Sequence, residues 1–404
     1  KKIIYIIFLF LIIDGFLIVE NCQSQWVQVS NGLGTPQIIW SLGANSNNIY
    51  VGVESGVESG VYVSSNNGDL WIPKNVYPWG CTLPPFDIMT NDNYVYAATN
   101  YFVFMSSNNG NNWWIPENGF GGARTRSFAR CGGYFFVTSE YAICRSANNG
   151  INWNYMNHNI ENNFAFGLAS QGNNLFASTR SVDLSSGQII FSSNYGYSWV
   201  SLLTAGPFSK IYANGNVIVA DLADVGFYLS TNAGQDWVLK NTINGANIIE
   251  TVMRDKYIFA QCFNTLYLSL DTGKTWVNKS QGFDLFGMSA LIIANGYVFI
   301  GGSSGVGQKV WRRPLSEVIG IQNISTEIPA SYSLSQNYPN PFNPKTAIRF
   351  QVTGNSIVAM KVYDVMGREV QSLVNERLKA GTYETIFDGS NYSSGVYFYK
   401  LITE

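Results

Sequence analysis

The chain has 404 residues and a net charge of −2 at pH 7, and only 12% of its residues are charged while 15% are aromatic. About a quarter of the residues of an average soluble domain are charged, so this chain takes its polarity mainly from Asn, Ser and Gly, as turn-rich all-β proteins do. The low net charge and the lack of a basic run give no electrostatic case for binding nucleic acid or an anionic lipid surface. The single histidine, His158, excludes metal clusters built from several histidines, and its place in a polar stretch favours a solvated loop residue over a catalytic base.

The N-terminus has the pattern of a signal peptide. Lys1-Lys2 precedes an apolar run from Ile3 to Ile13, and this arrangement of charge and apolar residues is typical of secretory signals. Asp14-Gly15 interrupts the run, which argues against a stable membrane span of about 20 residues. Small residues stand at positions −3 and −1 before Gln25. We therefore expect residues 1–24 to be a signal peptide for Sec-dependent export, and the mature protein to have no membrane span.

A short frame, Ser-x-Asn/Asp-x-Gly-x-x-Trp, returns six times along the middle of the chain, with steps of 38 to 46 residues between its glycines. A period of about forty residues, with strand-like segments between the frames, is typical of a radial β-repeat in which each unit forms one sheet. The frame residues are Ser64, Asn66, Gly68, Trp71; Ser106, Asn108, Gly110, Trp113; Ser146, Asn148, Gly150, Trp153; Ser192, Asn194, Gly196, Trp199; Ser230, Asn232, Gly234, Trp237; Ser269, Asp271, Gly273 and Trp276.

The chemistry of the frame is that of a tight hairpin turn. Asn or Asp at the third place can accept a backbone N–H hydrogen bond two residues on, and Gly at the fifth place supplies a positive φ. The closing Trp can bury its ring under the turn. The frame resembles the Asp-box, or bacterial neuraminidase repeat, of sialidases, sortilin-type receptors and photosystem-assembly propellers. Only Asp271 keeps the acid, so we interpret all six copies as structural turns and expect no metal site.

Each repeat is expected to hold three short strands, the frame and an outer strand. In the first repeat these are Gln37 to Leu42, Asn48 to Val53, Gly60 to Ser64 and a strand that opens at Trp71. The second strands of the later repeats are short and rich in aromatic and β-branched residues, as buried strands are. They are predicted at Tyr94 to Ala98, Tyr134 to Thr138, Asn174 to Ser178, Asn216 to Ala220 and Tyr257 to Gln261.

The last repeat lacks its outer strand. Three strands are predicted near Met288 to Ile293, Tyr297 to Gly301 and Lys309 to Arg312, and no seventh frame follows them. Gln25 to Val29 has the pattern of an outer strand without a repeat of its own. Pairing it with the last three strands closes the ring and removes two exposed edges. The prediction is a seven-bladed β-propeller over residues 25–315, with six blades as the alternative.

Five cysteines show no C-x-x-C spacing. Cys131 and Cys144 lie in one repeat, so they can either pair across its strands or remain as free buried thiols.

The tail has a different pattern. Residues 316–331 are mixed polar with proline, which predicts a linker. From residue 332 to 404, glycines separate alternating strands, which predicts a small immunoglobulin-like β-sandwich. Its motif residues are Pro339, Pro341, Pro344, Tyr363, Asp364, Gly367, Gly381 and Gly395. With these motifs the stretch closely resembles the type A C-terminal sorting domain of type IX secretion.

The resemblance implies recognition by the type IX secretion machinery and delivery to the outer surface or the medium. Tails of this family usually continue into a final basic strand after the Tyr-Phe-Tyr-Lys-Leu stretch. Here the sequence ends at Glu404, so we expect the last strand to be missing and one sheet edge to be unpaired.

The sequence favours an exported, non-enzymatic binding module for an unknown protein or glycan, without a cofactor or catalytic residue. One alternative is a sialidase-like glycoside hydrolase, although the Arg-Ile-Pro motif is lacking and the best-placed carboxylates are only Asp87 and Glu250. A second alternative is an assembly scaffold for another exported protein.

The candidate ligand face is the one opposite the frames, where aromatic and arginine side chains can stack or pair with carboxylates. Its candidate residues are Trp79, Phe120, Arg124, Arg126, Arg180 and Asp183.

Overall fold

The computed structural model describes most of the chain as strands and turns. The described residues are 3–7, 26–34, 38–55, 59–74, 83–92, 94–116, 123–140, 142–156, 163–222, 225–254, 257–262, 265–280, 282, 287–304, 307–389 and 392–403. They form two compact units. The first comprises Trp26–Tyr267 and Asn278–Arg312, and the second gathers Leu268–Val277 and Arg313–Glu404 with the N-terminal segment. His158 and the cysteines at 22 and 81 lie outside the described residues.

Within the described ranges, thirty strands precede the tail. The first half are β1 (Ile3–Ile7), β2 (Val27–Gln28), β3 (Ile38–Ala44), β4 (Ile49–Glu54), β5 (Gly60–Ser64), β6 (Ile72–Lys74), β7 (Asp87–Asn91), β8 (Tyr94–Ala98), β9 (Val103–Ser106), β10 (Thr125–Cys131), β11 (Tyr134–Ser139), β12 (Ala142–Ser146), β13 (Asn154–Met156), β14 (Asn163–Gln171) and β15 (Asn174–Ser181). The others are β16 (Gly187–Ser192), β17 (Val200–Ala205), β18 (Phe208–Asn214), β19 (Val217–Leu222), β20 (Gly226–Ser230), β21 (Val238–Lys240), β22 (Thr242–Ile243), β23 (Ala246–Asn247), β24 (Glu250–Arg254), β25 (Tyr257–Cys262), β26 (Thr265–Ser269), β27 (Val277–Asn278), β28 (Gly287–Ala294), β29 (Tyr297–Ser304) and β30 (Gly307–Pro314).

Consecutive strands pair into small up-and-down sheets. Among the described residues the strand orders are β3-β4-β5-β6, β7-β8-β9, β10-β11-β12-β13, β14-β15-β16-β17, β18-β19-β20-β21, β24-β25-β26-β27 and β2-β30-β29-β28, with a separate β22-β23 hairpin. The first strand of each sheet contacts the first strand of the next, and β28 contacts β3 in turn. The sheets of the first unit therefore follow one another in a closed cycle.

The predicted closing strand is present. β2 pairs antiparallel with β30 through Val27↔Arg312 and Gln28↔Trp311. The backbone N–H of Val29 donates to the carbonyl of Val310 at 2.8 Å. The two ends of this unit's sequence therefore share one sheet, and the edge that each would otherwise expose is covered.

Aromatic and branched side chains fill the spaces between neighbouring sheets. The second strands are the most buried elements, and all six residues of β25 are buried. One core cluster joins the second and third sheets through Tyr96, Phe128, Phe135 and Trp153. Strands that are buried on both faces do not alternate apolar and polar residues, which explains the continuous apolar sequence of the second strands. Cys131 and Cys144 are both buried free thiols, and burial raises the pKa of Cys144 to about 12.

The repeated frames form one kind of turn. In the first copy Ser64 Oγ accepts a hydrogen bond from Gly68 N at 2.8 Å and donates to Asn66 Oδ1 at 2.8 Å. Asn66 Oδ1 also accepts from Leu70 N at 3.0 Å. The backbone donor thus lies four residues after the Asn, not two as expected, because the N–H two residues on, that of Gly68, donates to Ser64 Oγ instead. The residue before Gly68 also has a positive φ, 57° at Asn67.

The closing tryptophans pack under these turns. Trp71 is 1% exposed and donates its indole N–H to Val29 O at 2.7 Å. Trp113 donates to Gly110 O within its own frame at 2.9 Å. In these two frames the ring therefore packs against the turn while its one polar atom stays hydrogen-bonded.

The second unit contains a short helix α1 (Leu315–Ile319) and two four-stranded sheets, β31-β36-β33-β32 and β1-β37-β34-β35. The strands are β31 (Ile321–Ser325), β32 (Ser333–Leu334), β33 (Lys345–Val352), β34 (Ser356–Tyr363), β35 (Glu369–Leu378), β36 (Gly381–Asp388) and β37 (Phe398–Thr403). Alternate residues of β33 and β34 are buried, including Ile348, Phe350, Val358 and Met360.

Two expectations for the tail differ from the structure. The segment 316–331, expected to be a linker, contains β31, which pairs with β36 through Ile321↔Thr385. Its Ile-Gln-Asn-Ile-Ser stretch is short and lacks the alternation of apolar and polar residues that marks a strand, so the sequence alone does not reveal it. The edge of β37, expected to be unpaired, is hydrogen-bonded to β1 along Ile3–Ile7. Those five residues belong to the predicted signal peptide, and the remainder of that segment lies outside the described residues.

Candidate functional site

The first strands of the seven described sheets line a cavity of about 830 Å³ in the first unit. Each of β3, β7, β10, β14, β18, β24 and β28 contributes a run of residues to its wall. Pockets of roughly 300–1,000 Å³ hold drug-sized ligands, so the cavity has room for a small molecule or a short chain segment.

Irregular strand pairing decides which side chains of the first strands stand at several places in this wall. In β3, β10, β14, β18 and β28 the register with the second strand shifts near the start of the strand. The first strand carries extra residues at each shift, and such a bulge re-aims a side chain. The residues at the shifts, all of which line the cavity, are Trp40, Arg126 and Ser127, Phe166, Ser209 and Lys210, and Ser289.

Two arginines meet at one phenylalanine of this wall. The Arg126 guanidinium carbon lies 4.6 Å from the ring centre of Phe166 and 5.1 Å from that of Phe86. Arg180, from β15, lies 4.4 Å from the Phe166 ring centre. Guanidinium groups are attracted to the negative face of an aromatic ring. The rings therefore hold both cations in place without neutralising them.

Arg126 has no other polar contact within the described part of the chain, where it makes ring contacts only. Desolvation, followed by the charges of Arg124 and Arg180, lowers the pKa of Arg126. Arg180 donates its Nε–H to Phe208 O at 3.0 Å, and desolvation lowers its pKa as well. This part of the wall is thus a half-buried region of positive charge.

The wall formed by β18, β24 and β28 carries paired charges instead. Lys210 forms an ion pair with Glu250 and donates to Ser289 O at 3.0 Å. Desolvation disfavours the charged form of Lys210, but the Glu250 carboxylate outweighs it and raises the Lys210 pKa. Asp221 lies behind this pair and accepts from Ser209 Oγ at 2.7 Å and from Thr251 N at 3.1 Å.

The two carboxylates considered for a hydrolase, Asp87 and Glu250, each contact another group of the protein. Asp87 accepts a hydrogen bond from Phe128 N at 2.8 Å, and burial raises its pKa. Glu250 is the partner of Lys210. Both groups thus have structural roles that account for their positions.

The candidate ligand-face residues separate into three groups. Arg126 lines the cavity and meets Arg180 at the Phe166 ring, and Arg124 is exposed but close enough to influence Arg126. Asp183 is exposed in its own turn, where it accepts from Ser185 N at 3.1 Å. Trp79 and Phe120 lie outside the described residues. Sequence reasoning missed Trp40, Phe86, Phe166 and Lys210, whose only signal was a bulky residue near the start of each first strand.

The motif residues of the tail lie mostly in turns. Asp364 follows Tyr363 at the end of β34 and accepts from Met366 N and Arg368 N, each at 2.9 Å. Gly367 in this turn has a φ of 76°. Three further motif residues precede β33 in a proline-rich segment, and the last two stand at the start of β36 and before β37: Pro339, Pro341, Pro344, Gly381 and Gly395.

Asp221 should make stability depend on pH. Burial, and then the negative charge of Glu250, raises the pKa of Asp221 to about 7. The pKa of an aspartate in the unfolded chain is about 4, so the folded state binds this proton more tightly than the unfolded state does. We expect Asp221 to favour folding below about pH 4 and to lose this contribution as the pH rises through about 7. Urea unfolding of the wild type and of Asp221→Asn between about pH 4 and pH 8 tests this. If the difference in free energy of unfolding between the two proteins does not change with pH, the role given to Asp221 is contradicted.

Comparison with known proteins gives separate results for the tail and for the larger part of the chain. Residues 336–404 match the family described as "Secretion system C-terminal sorting domain". No curated protein matches the sequence. In the described residues, no helix combines the length and apolar character needed to cross a membrane.

Solved structures resemble the larger part of the chain. YCF48 from Cyanidioschyzon merolae is 14% identical, with a TM-score of 0.51 over 71% of this chain and 98% of that one. YCF48 bound to D1 peptide is 14% identical, with a TM-score of 0.55 over 73% and 96%. A chain of the Mitotic Checkpoint Complex is 12% identical, with a TM-score of 0.53 over 76% and 97%. Likeness at this identity concerns the fold alone, and it supports a β-propeller.

Proposed function

We propose that this protein is an exported, non-enzymatic binding module: a seven-bladed β-propeller that receives a partner in its central cavity, followed by an immunoglobulin-like sorting domain. The blade count is supported by the closed cycle of contacts between the first strands of successive sheets. The sandwich is supported by the two four-stranded sheets of the tail.

The tail accounts for delivery. A secretion-system sorting domain at the C-terminus implies export to the cell surface or the medium and an interaction with the type IX machinery. We further propose that residues 1–24 direct Sec-dependent export first, on the basis of their charge and apolar pattern. The domain limits proposed for the mature protein are the propeller at 25–315 and the sorting domain at 332–404, which β31 precedes in the same sheet as β36.

The observation that carries the binding role is the bulged first strands. Bulges near active or binding sites re-aim side chains, and here five strands carry one at a similar place. They bring Trp40, Phe166 and Arg126 to the cavity wall. Aromatic and arginine side chains dominate the energetics of binding surfaces.

One solved neighbour is a complex, YCF48 bound to D1 peptide. It supports the proposal to the extent that a propeller of this fold holds a peptide. The carboxylates of this chain's cavity are held by Lys210 and by Phe128 N, which supports binding over hydrolysis.

Site-specific photo-crosslinking in secreting cells tests the cavity as the binding site. p-Benzoylphenylalanine at Phe86, which lines the cavity, is expected to give discrete adducts on the full-length chain. The matched control is the same group at Tyr155, which is 51% exposed on β13. No adduct from Phe86, or the same adducts from both positions, would overturn the proposed function.

A further inference from the structure

We propose that Arg126 and Arg180 form an anion subsite, and that the ligand it selects is an acidic peptide segment whose carboxylate lies beside an apolar or aromatic side chain. This inference rests on the proposed function and specifies the partner of the same cavity.

The first argument is the unused hydrogen-bonding capacity of Arg126. A guanidinium carries five N–H donors in a planar fork, and a half-buried one normally finds acceptors. Within the described residues Arg126 contacts the Phe86 and Phe166 rings and makes no hydrogen bond or ion pair. Ring contacts leave the N–H edge of a guanidinium free. A carboxylate matches that edge because its two oxygens accept two parallel N–H bonds.

The second argument is charge. Arg180 is held by Phe208 O through Nε and shares the Phe166 ring with Arg126, at 4.4 and 4.6 Å from its centre. These distances place the two guanidinium carbons no more than about 9 Å apart, and like charges at that separation repel each other in a partly desolvated site. A bound anion relieves that repulsion. Glu140 influences Arg126 from a distance but forms no ion pair with it among the described residues.

The third argument concerns the rest of the ligand. Trp40 donates its indole N–H to Glu54 Oε2 at 2.8 Å and packs edge-on against Phe86, with ring centres 5.0 Å apart. Its polar atom is therefore satisfied, and what this part of the cavity wall offers a ligand is mainly apolar surface. A carboxylate attached to an apolar or aromatic group matches this combination of cation and ring.

The fourth argument separates a peptide from a sugar. Hydroxyl-rich ligands need many free polar groups, but the cavity serines are already engaged. Ser41 Oγ donates to Pro85 O at 2.7 Å, and Ser289 Oγ donates to Gly301 O at 3.1 Å. Ser209 Oγ donates to Asp221, and Ser127 Oγ accepts from Leu168 N. Since three of these four hydroxyls already donate their proton within the fold, an acidic peptide fits the wall better than an acidic glycan does.

A displayed random-peptide library tests the inference on the purified full-length chain. We expect selected peptides to be enriched in Asp or Glu next to aromatic or apolar residues. Arg126→Gln should lose this enrichment and bind the selected peptides about ten- to hundredfold more weakly, as loss of a charged hydrogen-bonding partner predicts. Arg126→Lys keeps the charge but not the planar fork, so its affinity for the selected peptides should lie between those of the wild type and of Arg126→Gln.

Arg130→Gln is the matched control. Arg130 lies on the same strand and also over a phenylalanine, but it is exposed and donates to Asn91 Oδ1 at 2.8 Å. Arg130→Gln removes the same charge as Arg126→Gln. Unchanged peptide binding by Arg130→Gln would therefore show that the subsite, and not a non-specific electrostatic attraction, holds the peptides. Peptides selected without an acid, peptides retained by Arg126→Gln, or an oligouronate that binds where peptides do not would each overturn the inference. Cavity adducts from Phe86 would still uphold the proposed function in those cases.

Discussion

Removing residues 315–404 is expected to abolish export while leaving the propeller folded. The deletion takes away α1 and every strand of the tail from β31 to β37, and with them the stretch that matches a secretion-system sorting domain. The propeller keeps β30, which ends at Pro314, and its pairing with β2. Quantitative immunoblotting of cells and medium measures the result, and the truncated chain should be found only in the cell fraction.

A matched control keeps the tail intact. Ile328 is 76% exposed, so Ile328→Ala should fold and be exported as the wild type is. All eleven tryptophans precede residue 312, and their fluorescence therefore shows whether the truncated propeller is folded. Undiminished secretion of a folded truncated chain would contradict the role given to the tail.

Trp71→Ala is expected to cost about 3–5 kcal/mol of the free energy of unfolding, the range for removing a buried tryptophan. Trp71 is 1% exposed in a core cluster with Val29, Leu33 and Phe299. Its indole N–H donates to Val29 O, next to the closing strand β2. The substitution leaves a cavity and an unpaired carbonyl at the place where the first and last sheets meet. Urea unfolding followed by tryptophan fluorescence measures the loss.

Trp114→Ala provides the comparison. Trp114 is 37% exposed and contacts Met105 through backbone hydrogen bonds that the substitution retains. We expect a smaller change in the unfolding midpoint than for Trp71→Ala, because less buried surface is lost and no indole hydrogen bond to Val29 is broken. Equal losses for the two variants would show that Trp71 has no special role in closing the cycle of sheets.

The turn frames were predictable because their chemistry is local. Ser64, Asn66 and Gly68 lie within five consecutive residues, and the bonds among them need no distant partner. The closing strand was also predictable, since an outer strand without a sheet and a sheet without an outer strand complement each other. By contrast, β31 was missed because its five residues become a strand only through pairing with β36, which is distant in sequence.

The candidate site was only half accessible to sequence reasoning. Arg126 and Arg180 were named as residue types suited to a ligand face, but nothing local placed them at one ring. Phe86, Arg126 and Phe166 each stand 40 residues apart in sequence and come from successive sheets. Their proximity depends on the closed cycle and on the bulges in the first strands.

The sequence by itself determined the repeat, the turns, the strand content and the sorting tail, because these follow from short-range spacing, backbone preference and a motif order. Only the tertiary structure decided which side chains share the cavity. A shift of one residue in strand register reverses the face that a side chain occupies, and that register is set by neighbouring strands rather than by the residues themselves. The unpartnered guanidinium of Arg126 is such a consequence, since three separate sheets define its surroundings.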